Sequence, residues 1–130
     1  LIVVDASVVL ELLLQTGAAA RVEARLFGQA ATLHAPHLID AEIAQVLRRY
    51  EAAGDIDSAR GLQSIAILGA LPLERYAHGL LLQRAWQLRQ NISAYDAIYV
   101  ALAEMLDATL LTCDRRLAAA PVHCARIELI

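Results

Sequence analysis

Apolar residues follow two rhythms along this chain. Short unbroken apolar runs alternate with longer stretches in which apolar positions recur every three or four residues. The first rhythm suits strands buried on both faces, and the second suits helices with one face inward. Leu1-Ile2-Val3-Val4 is the first such run and ends at Asp5, which predicts a buried strand over 1–5. Ser7 offers an N-cap for an apolar helix from Val8 to Leu14, with Gly17 as its stop. A second helix is predicted over roughly 18–29, with Arg21, Glu23 and Arg25 outward. Ala31 to Ala35 then reads as a strand stopped by Pro36.

His37 to Ala53 carries Ile39, Ile43, Val46, Leu47 and Tyr50 at helical spacing, and Gly54 ends it. Asp55 or Asp57 caps the next helix, which reaches about Leu68, and Leu71-Pro72-Leu73 reads as a short strand or sheet edge. Glu74 to Gln90 is predicted helical, with Leu81, Leu82, Ala85 and Leu88 inward. Ser93 caps a helix to about Leu106, and Ala108 to Thr112 is the clearest later strand. A helical turn over Arg115 to Ala119 ends at Pro121, and Val122 to Leu129 supplies a last strand. This alternation implies an α/β fold with a mostly parallel central sheet flanked by helices. With no repeat, low-complexity segment or linker, residues 1–130 are expected to form a single domain.

Composition narrows the picture. Of the 130 residues 58% are hydrophobic and 19% charged, which excludes a disordered chain. That apolar share is high for so short a chain, so part of it is expected to cover an interface, as in a homodimer or with a bound partner. Charged or polar residues interrupt every apolar run well short of the ~18–20 residues of a membrane span. Leu1 to Asp5 lacks the basic region of a signal peptide, and the missing initial Met implies native residues upstream of Leu1. Cys113 and Cys124 are too few for a disulfide framework and read as reduced thiols in a cytoplasmic protein. The histidines lack zinc-site spacing; His34-x-x-His37 spans Pro36. A net charge of −3, with Arg as the only strongly basic residue type, does not by itself favour nucleic acid.

Four acidic residues stand in settings where a carboxylate needs a reason to be: Asp5, Glu42, Asp96 and Asp114. Asp5 and Asp114 follow predicted strands, while Asp96 and Glu42 lie near helix starts. Strand ends and helix starts share one edge of an open α/β sheet, where ligands bind. Converging there, the four would offer hard oxygen donors to a divalent cation suited to phosphodiester hydrolysis. Each also has a plainer reading. Ser93-x-x-Asp96 is the form of a capping box, Asp114 could cap the turn before Leu117, and Glu42 could be exposed on its helix. Asp5 is hardest to dismiss, since a carboxylate ending a buried strand is costly without a partner. Asp40 reads as a cap or surface group. Arg48, Arg49, Arg84 and Arg89 read as solvated faces, Tyr95 as packed beside Ala94 and Ile98, with stacking on a base as its alternative, and Trp86 as core or dimer interface.

The segments Val3-Val4-Asp5-Ala6-Ser7, Ala41-Glu42, Ser93-Ala94-Tyr95-Asp96-Ala97-Ile98-Tyr99 and Leu110-Leu111-Thr112-Cys113-Asp114-Arg115-Arg116-Leu117 resemble PIN-domain ribonucleases, in particular the VapC toxins of bacterial toxin–antitoxin pairs. The resemblance runs from Leu1 to about Ile127. It implies a PIN-like fold and a metal-dependent endoribonuclease using Mg²⁺ or Mn²⁺, leaving a 5′-phosphate and a 3′-hydroxyl. Asp5, Glu42, Asp96 and Asp114 would be the catalytic, metal-binding quartet, with Ser7 and Thr112 as supporting polar residues. It also implies a homodimer and inhibition by a cognate VapB-like antitoxin. Arg115 and Arg116, beside Asp114, are candidates for RNA phosphate contacts. The alternative is a non-catalytic PIN-fold binding module. An aspartyl-phosphate enzyme with Asp5 as nucleophile is disfavoured, because Ser7 stands where a second acid is needed and there is no Lys.

Overall fold

The computed structural model describes residues 1–121 and 123–130. In chain order the elements are β1 (Ile2–Val4), α1 (Ala6–Leu14), α2 (Ala19–Phe27), β2 (Leu33–Pro36), α3 (Leu38–Ala52), α4 (Ser58–Ala70) and β3 (Leu73–Tyr76). A 3-10 turn at His78–Leu80 follows, then α5 (Leu82–Gln87), α6 (Ala94–Leu106), β4 (Thr109–Thr112), α7 (Arg115–Ala118) and β5 (Arg126–Leu129). The five strands form one sheet in the order β3-β2-β1-β4-β5, and every pairing is parallel. This is the expected α/β architecture. β1 is central, and Ile2, Val3 and Val4 are all buried, as an apolar run covered on both faces should be. From β1 the chain winds out through β2 to β3, then returns to place β4 on the other side. The order therefore reverses between β1 and β4, where open α/β sheets bind ligands.

α6 is the most enclosed helix, with every residue from Ala97 to Ala103 buried. Ser93 caps it, its hydroxyl accepting the Asp96 N–H at 3.1 Å. Of the two candidate caps for α4, Asp57 takes the role through the Arg60 N–H at 2.7 Å. Gly54, at φ +81°, turns the chain just beyond α3. Among the described residues no helix is long and apolar enough to cross a membrane.

Several expectations are corrected. Asp5, not Ser7, caps α1: its carboxylate accepts the Val8 N–H. A charged acceptor at the helix N-terminus is favoured over a hydroxyl by the exposed N–H groups and dipole there. The same helix stops at Gln15, in the left-handed conformation with its N–H donating to Glu11 O, before Gly17 is reached. The predicted helix over Glu74 to Gln90 is replaced by β3, the 3-10 turn and the short α5. Leu73 to Tyr76 pair with Leu33 to Pro36, so the sheet edge takes their backbone groups before a helix can. Leu82 is exposed rather than inward; of the two readings of Trp86 the core one fails, since it is exposed, with the Arg89 guanidinium 4.3 Å over its ring. Tyr95 is likewise exposed. The last strand starts at Arg126; Val122, placed in it by the pattern, lies outside the described residues.

Candidate metal centre

Asp5 leaves the C-terminal end of β1 with 6% of its surface exposed. Its Oδ1 accepts the Ser7 hydroxyl at 2.5 Å and the Val8 N–H at 3.1 Å. Its Oδ2 accepts the Thr112 hydroxyl at 2.5 Å. Each hydroxyl also accepts a backbone N–H at 2.9 Å: Ser7 takes that of Cys113 from across the β1–β4 crevice, and Thr112 takes that of Asp114 just beyond its own strand. Ser7 and Thr112 thus donate to the carboxylate while receiving from the segment that carries Asp114, which fixes the Asp5 side chain relative to that segment.

Asp114 is exposed and caps α7, its Oδ1 accepting the Arg116 N–H at 2.8 Å and the Leu117 N–H at 3.4 Å. The plain capping reading of Asp114 therefore holds, beside whatever else it does. Glu42 lies in the second turn of α3, half-buried, and accepts the Tyr99 hydroxyl at 2.6 Å. Asp96 lies in the first turn of α6, half-buried.

Burial, first of all, raises the Asp5, Glu42 and Asp96 carboxyls above the usual carboxylate range. Their neighbours' charges add to the rise: Asp96 acts on Asp5, Asp96 and Asp5 act on Glu42, and Asp114 acts on Asp96. Hydrogen bonds from Ser7, Thr112, Val8, Tyr99 and Ser93 pull the other way without winning. The fold therefore brings the four acids within electrostatic range of one another. Among the described residues none of them is ion-paired, although Glu128, Asp40, Glu104 and Asp107 each pair with an Arg. A hard divalent cation is the counter-charge such an all-oxygen donor set suits. As they stand, no three of these side chains among the described residues are gathered tightly enough to hold one ion. The fit is one of donor type and charge, with the ligands still to be drawn together.

Sequence reasoning missed two participants. Tyr99 is buried, and its phenol is held protonated, first by burial and then by Glu42, so it is the donor in that bond. The signal was available, since Tyr99 stands three residues after Asp96 and so shares its helix face. The Cys113 N–H had no sequence signal, because any residue but Pro supplies one. Arg115 and Arg116 are exposed at the start of α7. Asp40 binds Arg75 through two nitrogens at 2.7 and 2.9 Å, tying α3 to β3.

The PIN domain sequence profile matches residues 2–122. Ribonuclease VapC1 of Mycobacterium tuberculosis is 45% identical over 132 residues, spanning 98% of this chain and 96% of that protein. Ribonuclease VapC12 of the same organism is 42% identical over 130 residues, spanning 100% and 99%. Among solved structures, Mycobacterium tuberculosis VapC20, a sarcin–ricin-loop-cleaving toxin, aligns with a TM-score of 0.71 at 16% identity, over 92% of this chain and 94% of that one. VapBC2 from Rickettsia felis, bound to promoter DNA, aligns with a TM-score of 0.74 at 13% identity, over 99% and 98%. The two structural likenesses speak to the fold; the profile match and the sequence identities decide membership. The chain belongs to the PIN domain family, alongside the VapC ribonucleases.

Proposed function

We propose that this protein is a VapC-like endoribonuclease toxin that hydrolyses RNA phosphodiester bonds with Mg²⁺ or Mn²⁺ and is restrained by a cognate antitoxin. The observation that carries the reading is the mutually repelling quartet Asp5, Glu42, Asp96 and Asp114 at the sheet's switch point, without a protein cation paired to it among the described residues. The identity to VapC ribonucleases over nearly the whole chain supports it.

In this reading the four carboxylates hold the ion. When bound, it supplies charge stabilisation to the phosphate and lowers the pKa of a water. Ser7 and Thr112 keep Asp5 in one rotamer, and Tyr99 keeps Glu42 oriented. Arg115 and Arg116, exposed beside Asp114, take neighbouring phosphates of the RNA. No covalent protein nucleophile is needed. A second copy of the chain would cover exposed apolar residues around α5 and α6: Leu80, Leu82, Trp86 and Met105.

The test is incubation of purified, antitoxin-free protein with total cellular RNA in Mg²⁺, Mn²⁺ or EDTA, with Asp96→Asn as control. Discrete fragments that need metal and vanish in the variant are expected. A folded protein that cuts nothing in either metal would sink the reading. The open spacing of the carboxylates favours a second reading, a non-catalytic binding module. Titration with millimolar Mn²⁺ separates the two, since the module would not respond.

A further inference from the structure

On α3, Glu42, Gln45, Val46 and Arg49 follow at intervals of three, one and three residues, and so line one face of the helix. They border a surface cavity of about 380 Å³ whose opposite wall includes Tyr95. Val46 and Arg49 also border an adjoining cavity of about 240 Å³ that contains Ser7 and Cys113, the residues that bridge the crevice beside Asp5. Arg49 therefore stands on the ridge between two hollows, one holding Glu42 and the other reaching toward Asp5. Its side chain makes no hydrogen bond or ion pair among the described residues, whereas Arg25, Arg75, Arg84 and Arg126 are each spent on a carboxylate. Glu42 and Arg49 are seven residues apart, about 10 Å along the helix axis. Tyr95 immediately precedes Asp96, shares the cavity with Glu42 and is 62% exposed.

We propose that Arg49 and Tyr95 form an RNA subsite on the Glu42 flank of the carboxylates, Arg49 binding a phosphate adjacent to the scissile one and Tyr95 stacking on a base. The proposal rests on the ribonuclease reading and deepens it. A guanidinium with no carboxylate partner among the described residues, standing on the flank of a negatively charged centre, is well placed for a phosphate that bridges toward a cation. An exposed aromatic face beside it suits a base in single-stranded RNA, since such stacking tolerates any base. Past the pair the second hollow runs on as a trough, through Leu14, Thr16 and Tyr50, into a cavity lined also by Asp55, Asp57 and Arg60, a mixed surface with no bias to an apolar peptide. Together with Arg115 and Arg116 on the Asp114 flank, the pair would lay the strand across the carboxylates.

The experiment measures cleavage kinetics on a short single-stranded RNA in Mn²⁺, and binding of the same RNA, fluorescein-labelled, by anisotropy in Ca²⁺ over a salt series. Arg49→Ala and Tyr95→Ala are each expected to raise KM and weaken RNA binding about tenfold, with kcat changed less than about twofold. Arg49→Ala is expected to lower the salt slope of binding by about 0.7, one phosphate's share on a single strand. Tyr95→Phe should retain binding. Arg89→Ala, which removes the same charge at Trp86, should leave the salt slope unchanged. Wild-type affinity and slope in both alanine variants would overturn the subsite and leave the trough to a protein partner. Absence of RNA binding by the wild type would overturn it too. Weakened binding in the variants, with no cleavage by any form, would keep the subsite and sink the ribonuclease reading alone.

Discussion

Replacing Asp5 by Asn and by Ala separates what this carboxylate does for the fold from what it does for the chemistry. In Asp5→Ala, α1 loses its cap at Val8, a loss of about 1 kcal/mol. The hydroxyls of Ser7 and Thr112 both lose their acceptor. Thr112 is fully buried, so its hydroxyl left without an acceptor costs about 1–2 kcal/mol more. Ser7, half-buried, can turn to water. Relief of a buried charge offsets part of this, since burial already disfavours the ionised form of Asp5. Asp5→Asn keeps an oxygen for Val8 and Ser7, sheds the charge and disturbs only the Thr112 bond, so its net effect on stability should be near zero. The two variants should thus differ by about 2 kcal/mol. In a chain of 130 residues about 1 kcal/mol moves Tm by about 4 °C, so Asp5→Ala should melt about 8 °C below Asp5→Asn. Melting in EDTA, followed by circular dichroism, measures the gap, and a parallel Mn²⁺ series should show metal-induced stabilisation lost in both. Equal melting temperatures would show that the hydrogen bonds drawn to Asp5 do not hold the β1–β4 crevice together, and the positioning argument would fail.

Other expectations follow from the same geometry. Asp96→Asn should abolish cleavage yet raise the metal-free Tm at neutral pH by a few degrees, because it removes a half-buried charge that repels Asp5 and Glu42. The sign with pH is fixed: Asp96 has a raised folded-state pKa, so its contribution to stability is full below its unfolded pKa and is lost as pH rises through the folded value. The advantage of Asp96→Asn over wild type should therefore shrink on acidification, and melts from neutral to mildly acidic pH would reveal a constant gap if this is wrong. Tyr99→Phe removes the hydroxyl that lowers the Glu42 pKa, so Mn²⁺ binding, read by calorimetry, should weaken several-fold, with its acid limb moved to higher pH. Arg84→Ala should cost about 1 kcal/mol, because Glu104, its side chain only 15% exposed, loses both guanidinium bonds and keeps only the Cys124 N–H; denaturant unfolding reads the loss.

The fold was most legible where local pattern and burial agree. The run Ile2 to Val4 is a central strand because only a strand covered on both faces can use three consecutive apolar residues. Ser93 and Asp57 cap their helices as their positions promise. Legibility failed at Glu74 to Gln90, where Leu81, Ala85 and Leu88 do lie inward at helical spacing but Glu74 to Tyr76 are claimed by the sheet edge. The bond from Tyr76 to His34 and the pair Arg75–Asp40 join residues about forty and thirty-five positions apart, and no local pattern announces them. It failed again at Ser7, whose hydroxyl serves Asp5 and the Cys113 N–H at once, a role visible only when β1 and β4 lie side by side.

The site was legible for a different reason: carboxylates at the ends of apolar runs conflict with the local environment, and a conflict that folding does not resolve points to function. The structure sharpens that argument, because it shows where the conflict was resolved and where it was left. Asp40, Glu104, Asp107 and Glu128 are ordinary acids, each answered by an Arg. Among the described residues Asp5 and Glu42 are answered by neutral donors, which orient them but leave their charge standing, and Asp96 has no cationic partner. Neutral donors are what a cation site needs, since an Arg in that place would compete with the ion, whereas a hydroxyl holds the carboxylate in position and yields none of its charge. The same reasoning separates Arg49 from the paired arginines, and it makes the quartet and this guanidinium parts of one surface that a phosphate chain can bridge.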